Sequence, residues 1–174
     1  LLNLKTTADA LPYFVSPKNI ELFTKHKIFT ETEMHSRYEI LMEEYTKTLN
    51  IEALTMLDMA KKDIVPAILS FETALCDAIA AKKAVCETID ASLESGLLKK
   101  VSELSGKLAQ HIEALEKAEE EAGTIADFEK QAAFYKDSVL SAMENLRATV
   151  DALEVCVGRE YWPYPSYFDI LYSV

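Results

Sequence analysis

Residues 54–89, LTMLDMAKKDIVPAILSFETALCDAIAAKKAVCETI, decide the fold class. Within them Leu54, Leu57, Lys61, Ile64, Ile68, Phe71, Leu75, Ala78, Lys82, Val85 and Ile89 recur at alternating steps of three and four. That is the period of a helical bundle or coiled coil. Only Lys61 and Lys82 interrupt the row, and a seam lysine can bury its stem while its ammonium reaches water. The rhythm returns twice. Val101, Leu104, Leu108, His111, Leu115, Ala118 and Ala122 carry it in a second segment. Ile125, Phe128, Ala132, Tyr135, Val139, Ala142, Leu146, Thr149, Leu153 and Cys156 carry it in a third. With only four Gly and five Pro in 174 residues, there is little material for the turns of a sheet. The chain is predicted to be all-α: an antiparallel bundle of three long helices, with a short N-terminal helix and an extended aromatic C-terminal tail.

Local signals set the boundaries. Residues 1–15 read as a linker or irregular segment, and Ser16-Pro17 supplies an N-cap and first-turn proline for a short helix through about His26. Thr30-Glu31-Thr32-Glu33 has capping-box spacing and opens the first long helix, about 31–88. Pro66 lies inside it and is expected to kink it by removing one hydrogen bond and crowding the Lys62 carbonyl. The second helix is placed at about 92–122, with Gly123 ending it, and the third at about 125–160. Three regions follow: a linker and short helix (1–30), the bundle (31–160) and a tail (161–174). At ~1.5 Å per residue, helices two and three span roughly 46 and 54 Å and match the ~50 Å of residues 54–88, whereas the first long helix reaches roughly 85 Å. Residues 31–53 should therefore project beyond the bundle, with Ile40, Leu41, Tyr45, Leu49 and Ile51 in need of cover.

The tail asks for cover too. Tyr161-Trp162-Pro163-Tyr164-Pro165-Ser166-Tyr167-Phe168, followed by Leu171 and Tyr172, holds two prolines that cannot continue a helix. It holds more aromatic surface than water tolerates. The candidate docking residues are Tyr38 and Tyr45 on the projecting segment and Trp162, Tyr164 and Phe168 in the tail.

Composition and motifs exclude much. A net charge of −11 argues against nucleic acid and anionic membrane as partners. No stretch approaches the ~20 apolar residues of a membrane span, and no basic segment precedes an apolar run as in a signal peptide. The chain lacks an initiator Met, so Leu1 reads as a cut end. Cys76, Cys86 and Cys156 are odd in number and read as buried thiols in a reducing cytoplasm. None of His26, His35 or His111 has a Glu three residues before it, as a di-metal bundle site requires. Glu31, His35 and Glu39 lie at one-turn spacing, which favours surface hydrogen bonding over a metal site. His111 reads as a bundle histidine, Cys156 beside Arg159 as a core thiol, and Glu119-Glu120-Glu121 as a solvated helix face. Phosphate loops, Cys-x-x-Cys pairs and nucleophile elbows are absent from the sequence. No catalytic, cofactor-binding or metal residue is expected.

Several runs resemble a known family. They are Ala8-Asp9-Ala10-Leu11-Pro12-Tyr13-Phe14-Val15-Ser16-Pro17-Lys18-Asn19-Ile20-Glu21-Leu22-Phe23, His35 to Leu41, Asn50 to Met56, Lys62 to Ala67, Tyr161 to Pro165, and Leu171-Tyr172-Ser173-Val174. They resemble the segment that leaves the catalytic domain of type III glutamine synthetases and continues to that family's C-terminus. Residues 75–125 resemble only a generic amphipathic bundle. The resemblance implies large subunits that make glutamine from glutamate, ammonia and ATP through a γ-glutamyl phosphate. It also implies a requirement for Mg²⁺ or Mn²⁺ and assembly as stacked hexameric rings. That family's metal, phosphate and ATP residues lie upstream, and none maps onto a position here. The implied role is a non-catalytic C-terminal structural and assembly domain, whose partners are its own catalytic domain and neighbouring subunits. The alternative is a standalone helical adaptor binding a protein partner. A small helical enzyme or metal carrier comes third, for want of ligand pairs.

Overall fold

The computed structural model describes residues 3–165 and the helix Tyr167–Tyr172, the side chains of Tyr167 and Phe168 lying outside that description. Among the described residues there are six helices and no strand. Helix α1 is Thr7–Phe14, α2 is Pro17–Lys25, α3 is Glu31–Val85 and α4 is Ser92–Thr124. Helix α5 runs from Phe128–Phe134 through a π-turn at Tyr135–Val139 into Leu140–Glu154, and α6 is Tyr167–Tyr172. Contacts divide the chain into two units. Leu1–Leu54 with Leu115–Met143 forms the first, and Thr55–Ala114 with Glu144–Val174 the second.

In the first unit, Thr30 and Glu33 cap α3 reciprocally. The Glu33 N–H donates to Thr30 Oγ1 (3.2 Å) and the Thr30 N–H to Glu33 Oε2 (2.7 Å). Residues 31–53 do not project. Met34, Tyr38, Met42, Leu49 and Ala53 are buried, as are Leu115, Ala122, Ala132, Tyr135 and Val139 from α4 and α5. Helix lengths alone would pair α4 and α5 with residues 54–88. The apolar row of α3 begins twenty residues earlier, at Met34, and buried area decides the pairing. Residues 1–15 are not irregular either. Thr6 caps α1 by accepting the Asp9 N–H (3.2 Å), and its hydroxyl donates to Asp9 Oδ2 (2.9 Å). Ala8, Leu11, Phe14 and Val15, at helical spacing, then pack against Tyr38, Met42 and Ala132. That burial outweighs the cost of Pro12 inside the helix. Lys136 Nζ ties α1 to α5 through Asp9 Oδ1 at 3.0 Å.

In the second unit, α3 buries Leu57, Ala60, Ile64, Ile68 and Phe71 alongside Val101, Leu108, Ile112, Leu146, Leu153 and Val157. The seam thus runs through Ala60 rather than Lys61, and Leu54 is exposed. Along α3, Tyr38, Leu49, Ala60 and Phe71 are all buried and stand eleven residues apart (38, 49, 60, 71). An eleven-residue recurrence lies close to the winding of a straight helix, whereas a strict heptad drifts around it.

The interruption expected at Pro66 takes the form of a π-turn over Ala60–Ile64, with the Val65 N–H bonded to the Ala60 carbonyl. A π-turn widens the helix one turn before the proline ring and so relieves the carbonyl it would crowd. Cys76 and Cys86 are exposed and Cys156 half-buried, not the buried thiols expected: Cys76 lies off the buried row of α3, and Cys86 follows the helix end at Val85 in an extended conformation. Gly123 lies within the last turn of α4 rather than beyond it. One 18-residue window of α3 is apolar enough to cross a membrane by composition, with 17% of it buried. The expectation that no stretch approaches that measure does not hold. A helix apolar on more than one face meets the same test.

Candidate docking surfaces

The tail is fastened to α3 within the second unit. The Gly158 carbonyl accepts the N–H groups of Tyr161 (2.9 Å) and Trp162 (3.2 Å), which turns the chain out of α5. A Cβ on Gly158 would stand 3.4 Å from the Tyr161 ring, so the turn and the ring share little space. The Tyr161 ring packs on Phe71 with centroids 5.3 Å apart. The Tyr164 hydroxyl donates to Asp63 Oδ2 at 2.8 Å. Burial, then that bond and the Asp63 charge, push the Tyr164 phenol up to about 12. Trp162 is half-buried, and the Phe168 side chain lies outside the described residues. The tail is not extended throughout: Tyr167–Tyr172 forms α6, with Asp169 in its first turn, where the helix dipole favours an acid. Arg159 pairs with Asp169. Ile170, Leu171 and Tyr172 are exposed.

In the first unit, Tyr38 is 5% exposed. Its hydroxyl donates to Glu129 Oε1 at 2.7 Å, and its ring meets Phe128 edge-on at 5.9 Å. Burial, then the Glu129 bond and charge, push its phenol up to about 12. Tyr45 packs against the same cluster. Its hydroxyl is enclosed without a hydrogen-bond partner among the described residues, and burial followed by the Asp9 charge raises its pKa. Both tyrosines therefore work inside the unit, holding α1, α3 and α5 together.

One polar cluster went unread in the sequence. Glu119 is half-buried, not part of a solvated run. Its Oε2 accepts Asn50 Nδ2 (2.8 Å) and the Tyr135 hydroxyl (3.2 Å), and Asn50 Nδ2 also donates to Tyr135 (3.1 Å). Glu119 Oε1 is enclosed and has no partner among the described residues. Burial raises this carboxyl's pKa against the two bonds that lower it. The readable signal was position: Glu119 follows Leu115 by four residues and precedes Ala122 by three, on the buried face. His111, half-buried, has Nδ1 at 2.8 Å from Thr149 Oγ1.

Among the described residues no group of three or more His, Cys, Asp and Glu is placed to hold a metal ion. The residues here therefore do not fit the divalent cations that the resemblance implies for a whole enzyme.

The domain is all-α among its described residues, its longest helix carries apolar side chains on two faces, and Ile170, Leu171 and Tyr172 of its tail are exposed, a surface of the kind that interaction sites carry. Comparison with known proteins gives the family. Residues 1–83, covering α1, α2 and nearly all of α3, match the family described as glutamine synthetase C-terminal domain. A glutamine synthetase of Butyrivibrio fibrisolvens is 36% identical over 174 residues, all of this chain and 25% of that protein. A type-3 glutamine synthetase of Dictyostelium discoideum is 30% identical over 176 residues, 99% of this chain and 24% of that protein. A glutamine synthetase of Bacteroides fragilis is 25% identical over 99% of this chain. The chain carries a glutamine synthetase C-terminal-type domain and is homologous to type-3 glutamine synthetases over nearly its whole length. It spans about a quarter of the length of these relatives.

Proposed function

We propose that this domain is a non-catalytic structural and assembly module of a type III glutamine synthetase, an ATP-dependent glutamate–ammonia ligase of the cytoplasm. Its catalytic residues, ATP site and Mg²⁺ or Mn²⁺ ligands lie upstream of the segment described here. In this reading residues 1–30 lead from the catalytic domain, 31–160 form the bundle and 161–174 dock. The partners are the protein's own catalytic domain and neighbouring subunits of a stacked hexameric assembly. The observation that carries the reading is the uncovered apolar surface of α3 and α6, with Leu69, Leu171 and Tyr172 among its exposed residues. The family match over residues 1–83 supports it. Trp162, Tyr164 and Phe168 are the docking residues of the tail, and Tyr38 and Tyr45 are the anchors that shape the first unit.

The test is Trp162→Ala in the full-length enzyme. Assembly should weaken, by up to a few kcal/mol if the ring is buried at a subunit contact, with the shift read by sedimentation velocity. A full-length variant that assembles like the wild type would refute the docking role of Trp162.

A further inference from the structure

The stretch of α3 in the first unit carries a second row, on the side opposite its buried one. Arg37, Ile40, Glu44, Lys47, Ile51 and Leu54 follow one another at steps of three, four, three, four and three, and all six are exposed. Ile40 is 58%, Ile51 65% and Leu54 52% exposed. Large aliphatic groups at heptad spacing on a solvent face are what a partner helix covers.

The order of charges names the partner. Laid antiparallel against itself about the midpoint between Tyr45 and Thr46, the row is self-complementary. Ile40 meets Ile51, Glu44 meets Lys47, and the stem of Arg37 meets Leu54. Each pairing occurs twice, as a two-fold contact requires. Laid parallel and in register, the row would set Glu44 against Glu44 and Lys47 against Lys47, which is repulsive. We propose that this row is the contact by which the first unit pairs, antiparallel, with a second copy of the same chain. The proposal rests on the assembly reading above for its setting, and it names the partner and the face. Lys47 already bridges to Glu43 at 2.6 Å, but both side chains are well exposed (68% and 60%). Such pairs are weak and exchange readily. The row is only roughly 26 Å long, so the contact is small and gains strength where the copies are tethered in a larger assembly.

The test is sedimentation equilibrium of the 174-residue chain from about 5 to 500 µM. The average mass should rise from 19.5 kDa towards twice that value. Glu44→Lys alone, or Lys47→Glu alone, sets like charges opposite one another and should weaken pairing by about tenfold or more. The two single variants mixed together should pair again, since each then supplies the charge the other lacks, and the double exchange should restore self-association. Circular dichroism checks that helix content is unchanged by these surface substitutions. A mass that stays at 19.5 kDa throughout, or a dimer indifferent to Glu44→Lys, overturns the proposal. Neither result touches the tail, whose role is decided by Trp162→Ala in the whole enzyme.

Discussion

Replacing Tyr38 by Phe removes one oxygen and keeps the ring. The lost group is a hydroxyl donating at 2.7 Å to Glu129 Oε1, across 91 residues of chain. Hydrogen bonds to charged partners contribute about 1.5–3 kcal/mol net. Glu129 is exposed and water can replace the donor, so a loss of about 1 kcal/mol is expected, below that range and typical of a neutral hydrogen bond. For a chain of this size that lowers Tm by about 2–4 °C. Tyr38→Ala removes a side chain only 5% exposed and should cost about 3–5 kcal/mol, as large aromatic truncations do. The two variants together weigh the bond against the burial. Alkaline pH supplies a signature. The phenol is pushed up to about 12 in the folded chain, against about 10 in an unfolded one. The folded state thus holds its proton more tightly, and the stabilisation is fully present below pH about 10 and lost as pH rises through about 12. The advantage of wild type over Tyr38→Phe should shrink across that window, in urea titrations followed by near-UV and far-UV dichroism. A Tyr38→Ala cost below about 1 kcal/mol would mean the ring is not part of the core, and the packing of the first unit would need redrawing.

Further expectations come from the same unit and the tail. Glu119 has a folded pKa raised by burial, so its contribution is present below the unfolded carboxylate range and fades as pH rises through the folded value. Relative to Glu119→Gln, the wild type should therefore lose stability as pH rises above the ordinary carboxylate range; parallel stability–pH curves would contradict this. Asp9→Asn breaks the Lys136 tie and the Thr6 contact. It should accelerate amide exchange over Thr7–Phe14 while leaving global stability little changed, and unaltered exchange there would show that apolar packing alone holds α1. Tyr164→Phe removes the bond to Asp63 and should hasten proteolytic trimming after residue 160; cleavage at the wild-type rate would mean that the Tyr161–Phe71 contact suffices.

The helices were legible because their signals are local. Thr30 and Glu33 announced the start of α3, and the rows of Val101, Leu108 and Leu115, and of Ala132, Tyr135 and Val139, fell on buried positions. What resisted reading was the choice of neighbour. On α3, residues 31–54 carry apolar groups on both sides, Met34, Tyr38 and Met42 inward and Ile40, Ile51 and Leu54 outward. Periodicity cannot say which row a chain keeps for itself. α1 was hidden by Pro12, although Thr6 and Asp9 stand at cap spacing and Ala8, Leu11, Phe14 and Val15 repeat at helical intervals. There tertiary burial overrode local propensity. The site was less legible still. Tyr38 and Tyr45 were picked out as large aromatics, yet their surroundings depend on α1 and α5 arriving beside them.

The two rows of α3 also differ in period, and that difference bounds what each can do. The buried row steps by eleven from Tyr38 to Phe71, a recurrence close to the natural winding of an α-helix. The outer row steps by seven, from Arg37 through Glu44 to Ile51 and from Ile40 through Lys47 to Leu54. A heptad row drifts by about 20° per repeat on a straight helix. It can face a straight partner for only two or three repeats before it turns away, and Asp58 ends its apolar character one step beyond Leu54. A long coiled coil is therefore ruled out for this face. A short crossing of two such helices satisfies the spacing, the charges and the length together, and it leaves the remaining uncovered surface of α3, including Leu69, available to a different neighbour.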